Sequence, residues 1–241
     1  MLKGRTVAIT GGGGGLGRCY AVAMAKAGAS VGVSDIDLQS AQATVDAIVG
    51  AGGKAIAIQA DATSAAAFEA LLDRTESELG PLDVMLNLAG MFPKNALVDL
   101  PESEWDAVIA LNLKSVFLGS RAALQHMLPR KRGVVLSAAS GTAWRGVPRG
   151  SAYVASKAAI IGFTRAVSLE LKDSGVRINC FAPGATDTPL WREGKREEDV
   201  MRSKAQRTVF DPDEFSSVVV FLASELSWPL NGEFVNREQP R

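Results

Sequence analysis

The chain has 241 residues, a length that suits one α/β domain with a substantial core. Hydrophobic residues make up 47 % of it, which provides enough apolar side chain to bury. Its 26 Lys and Arg residues balance 26 Asp and Glu residues. This balance gives no electrostatic reason to expect a nucleic-acid or an anionic-membrane partner.

The cysteine and histidine content limits the redox and metal chemistry. The chain has two cysteines, Cys19 and Cys180, and one histidine, His126, which are too few ligands for a structural zinc site. We expect both thiols to be reduced and buried, as in a cytoplasmic protein. No signal peptide is visible, and no uncharged apolar run approaches the ~20 residues of a membrane span. The composition therefore predicts a cytoplasmic protein with no metal and no membrane partner.

Short apolar runs alternate along the chain with longer helical patterns. Strands are predicted at residues 6–10, 30–34, 55–59, 84–88, 134–137, 178–181 and 233–236. Helices are predicted at residues 16–27, 38–49, 65–79, 102–127, 152–172 and 213–223, the fourth stretch comprising two helices in succession. Because the strands are short and nearly continuously apolar, we expect them to be buried on both faces of a parallel sheet.

This alternation of elements predicts the fold. Without a linker or a shift in composition, it indicates a single dinucleotide-binding domain over residues 1–241. The expected architecture is α/β, a Rossmann-type doubly wound parallel sheet of about seven strands with helices on both faces and right-handed crossovers. The ligand site of such a sheet lies at the carboxyl ends of its strands.

A glycine-rich loop follows the first predicted strand and opens the first helix. Glycines there allow a tight turn and let backbone N–H groups approach a pyrophosphate at the helix N-terminus. One register, through Gly12, Gly14 and Gly17, fits G-x-G-x-x-G. The other, through Gly11, Gly15 and Gly17, fits T-G-x-x-x-G-x-G. A flexible linker has no reason to lie between a buried strand and a helix, so both registers predict dinucleotide binding.

Two aspartates end the second and third predicted strands. Asp35 stands 18 residues after Gly17, near the spacing of the acidic residue that accepts hydrogen bonds from the adenosine ribose. A carboxylate there repels a 2′-phosphate, and Ile36 rather than a basic residue follows it, so we expect NAD rather than NADP. The alternative for Asp35 is a helix N-cap or turn. Asp61 is expected to hold the adenine amino group, to cap the next helix, or both.

Tyr153 and Lys157 lie four residues apart in a predicted helix and therefore on one of its faces. An ammonium beside a phenol stabilises the phenolate and lowers the tyrosine pKa, an effect worth about 3–4 kcal/mol for a strong pair. We expect Tyr153 to exchange a proton with a substrate oxygen near neutral pH. By itself, the spacing also fits a partly buried tyrosine beside a solvated lysine.

The order of these motifs resembles that of the short-chain dehydrogenase/reductase family in its short single-domain form, from about Lys3 to Val235. The residues that carry the resemblance are the glycine loop Thr10–Gly17, Asn87-Leu88-Ala89-Gly90, Asn112, Ser140, Tyr153-x-x-x-Lys157, and Pro183-Gly184 followed by Thr188. Ser140 stands 13 residues before Tyr153, as the family places it.

The resemblance implies four catalytic residues. Tyr153 is the implied general acid/base, and Lys157 is implied to tune Tyr153 and to bind the nicotinamide ribose. Ser140 is implied to orient the substrate oxygen, with Ser137 as the competing serine. Asn112 is implied to hold a water in a proton relay from Lys157, and its alternative role is a helix N-cap or kink.

The resemblance also implies the cofactor contacts. They are expected at the glycine loop, the strand ends and the catalytic helix: Gly11, Gly15, Leu16, Gly17, Asp35, Ile36, Asp61, Ala62, Asn87, Ala89, Gly90, Tyr153, Lys157, Pro183, Gly184, Thr186 and Thr188. Thr186 and Thr188 are expected to grip the carboxamide. The implied chemistry moves a hydride between a carbinol carbon and nicotinamide while Tyr153 accepts or donates the hydroxyl proton.

Loops near the catalytic residues supply candidates for the substrate pocket. Residues 190–207 are charged and lack apolar periodicity, and the resemblance implies that they form a mobile lid. The pocket candidates are Met91, Phe92, Trp144, Val147 and Trp191. Two tryptophans there suit a cyclic or apolar substrate, or else they pack against neighbouring loops.

We expect an NAD-dependent oxidoreductase for a small, cyclic or apolar secondary alcohol or ketone. The alternative is a 3-oxoacyl-thioester reductase that acts on acyl carrier protein or CoA substrates. The basic residues that favour this alternative are Arg145, Arg149, Arg192, Lys195 and Arg196. A non-catalytic NAD-binding regulator would have lost at least one of the four catalytic residues, and all four are present.

Two stretches depart from the family pattern. Leu88 stands where the family most often has a second asparagine, so we expect altered hydrogen bonding beside the fourth strand. Residues 237–241 replace the usual Asp-Gly-Gly turn at an end that commonly builds a subunit interface. The resemblance implies a homo-oligomer, a dimer or a tetramer.

Overall fold

In the computed structural model, which describes residues 1–237, one sheet contains seven parallel strands. The strands are β1 (Thr6–Thr10), β2 (Ser30–Asp35), β3 (Lys54–Gln59), β4 (Leu82–Asn87), β5 (Gly133–Ala138), β6 (Val176–Ala182) and β7 (Phe234–Asn236). Their order across the sheet is β3-β2-β1-β4-β5-β6-β7. The chain reverses its direction of winding between β1 and β4, and the predicted Rossmann-type doubly wound sheet is confirmed.

Helices cover both faces of the sheet. They are α1 (Gly15–Lys26), α2 (Leu38–Gly50), α3 (Ala65–Leu79), α4 (Glu102–Ile109), α5 (Ser115–Met127), α6 (Thr142–Arg145), α7 (Ser151–Glu170), α8 (Pro189–Arg192), α9 (Glu197–Ala205) and α10 (Ser216–Ala223). The helices α1, α2 and α10 pack together over one face, while α3, α5 and α7 cover the other.

The central strands bury successive side chains in opposite layers. Val7 and Ile9 of β1 lie in the core under α1 and α2, whereas Ala8 lies in the core under α3 and α5. In β4, Leu86 likewise lies in the core under α1 and α2, and Met85 lies in the core under α3 and α5. Because each fully buried aliphatic side chain contributes about 1.5–3 kcal/mol, these two-sided strands anchor the sheet whose ends form the site. Burial on both faces explains why they are continuously apolar in sequence.

The largest refinement of the predicted elements lies between β4 and β5. The predicted succession of two helices is confirmed, and a π-helical turn, Ala110–Lys114, joins them. The short helices α6 and α8 were not predicted, and α9 lies in the lid, for which no regular structure was predicted. On α9 only Val200 is buried, so the helix has no apolar stripe to reveal it.

The helical run Glu102–Arg130 is long and apolar enough, by length and composition, to cross a membrane. About half of its most apolar stretch is buried inside the protein. There α5 packs on β4 and α3, and Ala123 and Met127 are fully buried in the core. This packing is that of a core helix beside a sheet.

Candidate active site

A cleft of about 710 Å³ lies at the carboxyl ends of the strands, where ligands bind in open α/β sheets. The predicted cofactor residues that line it are Gly11, Gly15, Leu16, Gly17, Asp35, Ile36, Asp61, Ala62, Ala89, Gly90, Tyr153, Lys157, Pro183, Gly184, Thr186 and Thr188. Among residues 1–237, no cluster of three or more His, Cys, Asp or Glu side chains could hold a metal ion.

The glycine loop brings backbone against backbone at one end of the cleft. A Cβ atom on Gly17 would lie 1.9 Å from the carbonyl oxygen of Gly11, and one on Gly11 would lie 3.1 Å from Ala89. Gly11 and Gly15 have φ values of +65° and +49°, in the left-handed region that favours glycine. Gly12 instead packs on β2, where its N–H donates to the Ser34 carbonyl at 2.8 Å. This geometry selects the register through Gly11, Gly15 and Gly17.

The N-terminus of α1 opens into the same end of the cleft. Gly14 is the N-cap and supplies no side-chain hydrogen bond to the first turn. Gly15, Leu16 and Gly17, the first residues of the helix, line the cleft. The N–H groups of a first helical turn have no partner within the helix, so they suit a pyrophosphate. The loop therefore fits a dinucleotide, and a side chain at Gly17 would destroy the fit.

Asp35 joins the end of β2 to the glycine loop. Its Oδ2 accepts the Gly13 N–H at 3.0 Å, and its Oδ1 accepts the Asp37 N–H at 3.1 Å. The N-cap of α2, the alternative role predicted for Asp35, is Asp37. The Asp37 carboxylate accepts a hydrogen bond from the Gln39 N–H at 3.0 Å. Asp35 also lines the cleft, where its remaining lone pairs can accept ribose hydroxyls.

Asp61 lies on the cleft wall just after β3. Its Oδ1 accepts hydrogen bonds from the N–H and the hydroxyl of Thr63, both at 2.8 Å, and these bonds lower the carboxyl pKa. Ser64 rather than Asp61 is the N-cap of α3. The capping alternative for Asp61 is therefore wrong, and its placement beside the cleft fits contact with the adenine.

Asn87 is the one predicted cofactor residue whose side chain turns away from the cleft. Its Nδ2 donates to the hydroxyls of Ser137 at 3.3 Å and Ser120 at 3.4 Å, behind the sheet end. The side chain therefore supports the end of β4, and contact between Asn87 and a cofactor stays a prediction for its backbone. Next to it, the Leu88 N–H donates to the Thr10 hydroxyl at 3.2 Å, which ties β4 to β1 where the family has a second asparagine.

Tyr153 and Lys157 project from one face of α7 into the cleft. Lys157 is buried, and its ammonium donates to the Ala138 carbonyl at 2.7 Å and lies 5.7 Å from the centre of the Tyr153 ring. Burial lowers the pKa of Lys157 from 10.5 to about 8. The lysine is thus a core residue of the site, and the alternative of a solvated lysine is wrong.

The pKa of Tyr153 differs from the expectation. Burial raises it above the ordinary value of 10, while a hydrogen bond from Ser140 lowers it in part. Phe92 stacks on the Tyr153 ring with 4.3 Å between ring centres and contributes to this burial. Lys157 directs its hydrogen bond to Ala138 rather than to the phenol. The predicted lowering of the tyrosine pKa by the lysine is therefore corrected.

Ser140 is the serine that faces Tyr153. Its hydroxyl lies 2.9 Å from that of Thr142 and accepts the Thr142 N–H at 3.2 Å. The competing Ser137 is fully buried and bonds with Asn87 behind the sheet end. The geometry thus decides between the two serines in favour of Ser140.

Asn112 lies in the π-helical turn and is fully buried. Its Nδ2 donates to the Met91 carbonyl at 3.0 Å and to the Ser156 hydroxyl at 3.2 Å. A Cβ atom on Gly90 would lie 3.1 Å from Asn112 Oδ1 and 3.8 Å from Lys157 Nζ, so both side chains reach Gly90. Asn112 therefore combines both predicted roles. It belongs to an irregular turn of the helix, and its side chain lies beside Lys157.

The substrate end of the cleft differs from the sequence-based pocket. Phe92, Val147 and Trp191 line it as predicted. Trp144 does not, because it lies outside the cleft, 61 % exposed and against Phe234. Met91 does not line the cleft either, and its backbone N–H and carbonyl bond with the Asn112 side chain. The lining residues that were not predicted include Lys94, Thr142 and Arg237, which no motif marks.

An ion-pair cluster fastens the lid over the cleft. The Asp187 carboxylate accepts hydrogen bonds from Arg192 Nε at 2.5 Å and from Arg192 Nη2 at 3.0 Å. It also lies 2.6 Å from Lys204 Nζ of α9. These partners, Arg192 first, lower the pKa of Asp187 to about 2. The lid cations Arg192 and Arg196 are therefore paired with lid carboxylates rather than directed at a ligand.

Together, a doubly wound sheet, a dinucleotide-binding glycine loop and a buried tyrosine–lysine pair define an oxidoreductase that uses a nicotinamide cofactor. The comparisons with known proteins agree. The family model described as short chain dehydrogenase matches residues 5–199. The chain belongs to the short-chain dehydrogenase/reductase family.

Similarity extends over nearly the whole chain. The (2S)-[(R)-hydroxy(phenyl)methyl]succinyl-CoA dehydrogenase subunit BbsD of Thauera aromatica is 34 % identical over 96 % of this chain and 94 % of its own. The cyclohexanol dehydrogenase of an Acinetobacter species is 36 % identical over 92 % and 88 %. A short-chain type dehydrogenase/reductase from Mycobacterium marinum superimposes with a TM-score of 0.90 at 30 % identity, over 99 % of this chain and 95 % of that one.

Proposed function

We propose that this protein is an NAD-dependent oxidoreductase that interconverts a small secondary alcohol and its ketone. The observation that carries the proposal is one cleft with Asp35 and the glycine loop at one end and Tyr153, Lys157 and Ser140 at the other. Dinucleotide recognition and proton transfer are thereby joined in a single binding site. Nicotinamide, when bound, supplies the hydride acceptor or donor.

The proposed mechanism assigns one task to each catalytic side chain. Ser140 donates its hydroxyl hydrogen to the substrate oxygen and fixes its orientation. In oxidation the phenolate form of Tyr153 accepts the carbinol proton, and in reduction its phenol form donates a proton to the carbonyl oxygen. Burial lowers the pKa of Lys157 to about 8. This lysine passes protons between Tyr153 and the proton relay in which Asn112 takes part.

Cofactor preference follows from the charges along the cleft. Asp35 lies where the adenosine ribose is expected, and a carboxylate there repels a 2′-phosphate. The Lys and Arg side chains that line the cleft are Lys94, Arg145, Lys157, Lys195 and Arg237, which all lie beyond β4 in sequence, while Asp35 and Asp61 follow β2 and β3. We therefore infer a preference for NAD over NADP.

The shape of the substrate end supports a small cyclic or apolar substrate. Phe92 stacks on Tyr153, and Val147 and Trp191 add aliphatic and ring surface to the same cleft. A relative of this chain is named a cyclohexanol dehydrogenase. The second candidate is reduction of a 3-oxoacyl thioester. It is favoured by Arg145 and Lys195, which line the cleft, and by the CoA thioester in the name of the Thauera relative.

We also infer a cytoplasmic homo-oligomer, a dimer or a tetramer, built from a single domain per chain. Members of the family typically act as oligomers on small molecules. Of the atypical C-terminal stretch 237–241, only Arg237 is among the described residues, and its guanidinium lies over the Phe210 ring. Sedimentation of the purified protein measures the oligomeric state directly.

The test of the proposed function is the absorbance of reduced nicotinamide. Purified protein is incubated with NAD or NADP and a panel of cyclic, aromatic and aliphatic secondary alcohols, and in reverse with the ketones and NADH. Reduction of NAD by at least one alcohol, with little reduction of NADP, is the expected result. Turnover of acetoacetyl-CoA alone would establish the second candidate instead. Inactivity with every substrate would contradict both.

A further inference from the structure

Two lysines converge at the substrate end of the cleft from separate parts of the chain. Lys94 lies on the loop after β4, and Lys195 lies between α8 and α9 in the lid. The Lys94 ammonium reaches the Glu193 carbonyl of the lid at 3.5 Å. The Lys195 ammonium lies 4.1 Å from the centre of the Trp191 ring and donates to the Trp191 carbonyl.

Within the described part of the chain, neither ammonium has a carboxylate partner. Among residues 1–237, no Asp or Glu oxygen lies within 4.0 Å of Lys94 or Lys195, although Arg192 and Lys204 of the same lid pair with Asp187. The two lysines also repel each other: burial and the charge of Lys94 both lower the pKa of Lys195. A pair of like charges without a counter-ion is unfavourable until an anion binds between them.

The two lysines lie close to the reacting position. The Lys94 ammonium lies over the Phe92 ring at 5.4 Å from its centre, and the same ring stacks on Tyr153 with 4.3 Å between ring centres. The cation and the proposed acid/base are therefore both neighbours of one aromatic ring. The aspartates that line the cleft, Asp35 and Asp61, belong to its adenosine end and do not offset this charge.

We propose that the substrate carries a carboxylate close to its carbinol or carbonyl carbon, and that Lys94 and Lys195 bind this carboxylate. The proposal rests on the proposed function and narrows its substrate to hydroxy acids and keto acids with a cyclic or apolar frame. Charge-assisted hydrogen bonds from two ammonium groups select the anion over a neutral analogue. Phe92 and Trp191 cover the apolar frame, and the bound anion joins the lid to the loop after β4.

The short separation from Tyr153 distinguishes a carboxylate of the substrate from the phosphates of a thioester carrier. A pantetheine arm puts those phosphates far from the reacting carbon, whereas Lys94 and Tyr153 lie against the same Phe92 ring. The experiment therefore compares compact acids, their neutral derivatives and a CoA thioester.

The first arm of the test measures kcat/KM for 3-oxocyclohexanecarboxylate, its methyl ester and acetoacetyl-CoA with NADH. We expect the wild-type protein to prefer the acid over the ester by about tenfold or more, since each tenfold corresponds to ~1.4 kcal/mol. In a Lys94→Gln, Lys195→Gln double variant, this ratio should fall toward one through a higher KM for the acid. Added salt should reduce the wild-type ratio as well.

A matched control removes one positive charge elsewhere. Lys172 is exposed after the end of α7 and does not line the cleft. Lys172→Gln should keep the wild-type ratio of acid to ester. Should this control lower the ratio as much as the double variant does, the effect would be one of net charge and the proposal would be overturned.

The second arm needs no turnover. Calorimetric titration of the protein in the presence of NAD, with cyclohexanecarboxylate or cyclohexanecarboxamide, should show tighter binding of the carboxylate that is lost in the double variant. If every ketone is inert but this lysine-dependent binding remains, the proposed function fails and the anion site stands. If neutral ketones are reduced without preference for the acid, the function stands and the anion site fails.

Two further outcomes would overturn the inference. One is an acid preference that survives the double substitution. The other is a loss confined to acetoacetyl-CoA, with acid and ester turned over equally, because that result would assign the lysines to the phosphates of a carrier.

Discussion

The side-chain amide of Asn112 holds both polar groups of the Met91 backbone. Asn112 Oδ1 accepts the Met91 N–H at 2.8 Å, and Asn112 Nδ2 donates to the Met91 carbonyl at 3.0 Å. The next residue, Phe92, stacks on Tyr153. The π-helical turn between α4 and α5 thus fixes the loop that covers the proposed acid/base. Asn112 therefore acts on the site by holding the Met91 backbone, in addition to its position beside Lys157.

We expect Asn112→Leu to reduce both stability and turnover. The substitution keeps a similar volume but leaves the Met91 groups without partners in a buried site, which costs about 2–4 kcal/mol in the free energy of unfolding. Denaturant unfolding and steady-state kinetics measure the two effects. Asn95→Ala is the control, because Asn95 belongs to the same loop but bonds only with Glu104, at 2.6 Å. Equal stability and activity in both variants would show that the loop does not need Asn112.

Tyr153→Phe should abolish turnover and leave NAD binding nearly intact. The substitution removes only the phenol oxygen, so the stack with Phe92 and the glycine loop at the other end of the cleft are preserved. Loss of the acid/base should lower kcat by about a hundredfold or more. The comparison is kcat against the Kd for NAD from fluorescence titration. A variant that keeps more than about a tenth of the wild-type rate would remove Tyr153 from the proton transfer.

Asp35→Ala should weaken NAD binding and narrow the preference for NAD over NADP. It removes the ribose acceptor and the charge that opposes a 2′-phosphate, and it also frees the Gly13 N–H. The ratio of kcat/KM for the two cofactors measures the preference. Asp37→Ala is the matched control, since Asp37 caps α2 and its loss should cost about 1 kcal/mol of stability without moving the ratio. An unchanged ratio in Asp35→Ala would refute the assignment of Asp35.

The buried Lys157 should lower the stability of the wild-type protein at neutral pH. Its pKa of about 8 in the folded chain lies below the ordinary 10.5, so the unfolded chain binds more protons between these values and stability rises with pH there. At neutral pH the protonated lysine costs about 3 kcal/mol. Lys157→Met should therefore be inactive, yet more stable than wild type at pH 7.

The pH dependence provides the check on this effect. The stability difference between Lys157→Met and wild type should shrink as the pH rises from about 8 toward 10.5, because the wild-type lysine becomes neutral in both states. Urea unfolding at several pH values measures it. A difference that stays constant over this range would assign the effect to packing, or to the lost hydrogen bond to Ala138, instead of to charge.

Much of the site could be predicted because its signals are local. The glycine loop, Asp35 at the end of β2 and the spacing of Tyr153 and Lys157 on α7 each depend on a few neighbouring residues. The strand pattern was equally informative, since burial on both faces requires continuous apolar runs. Boundaries shifted by one to three residues, as in β6, because strand ends depend on which neighbours extend the hydrogen-bonded ladder.

The failures share a different cause. Trp144 was predicted in the pocket from its place in sequence, but α6 directs it toward Phe234. The direction of the Asn87 side chain was not predicted, because Ser120 and Ser137, which hold its amide, are distant in sequence. Side-chain direction at a strand end depends on such partners, and no periodicity encodes it.

Local patterns were enough to predict the doubly wound sheet, the dinucleotide-binding loop and the tyrosine–lysine pair, because backbone geometry and helical spacing are short-range properties. The folded arrangement was needed to learn which glycine register lines the cleft, how burial shifts the pKa values of Tyr153 and Lys157, and that Lys94 meets Lys195. Desolvation and long-range charge depend on what surrounds a group in space, and residues a hundred positions apart become neighbours only when the sheet has formed.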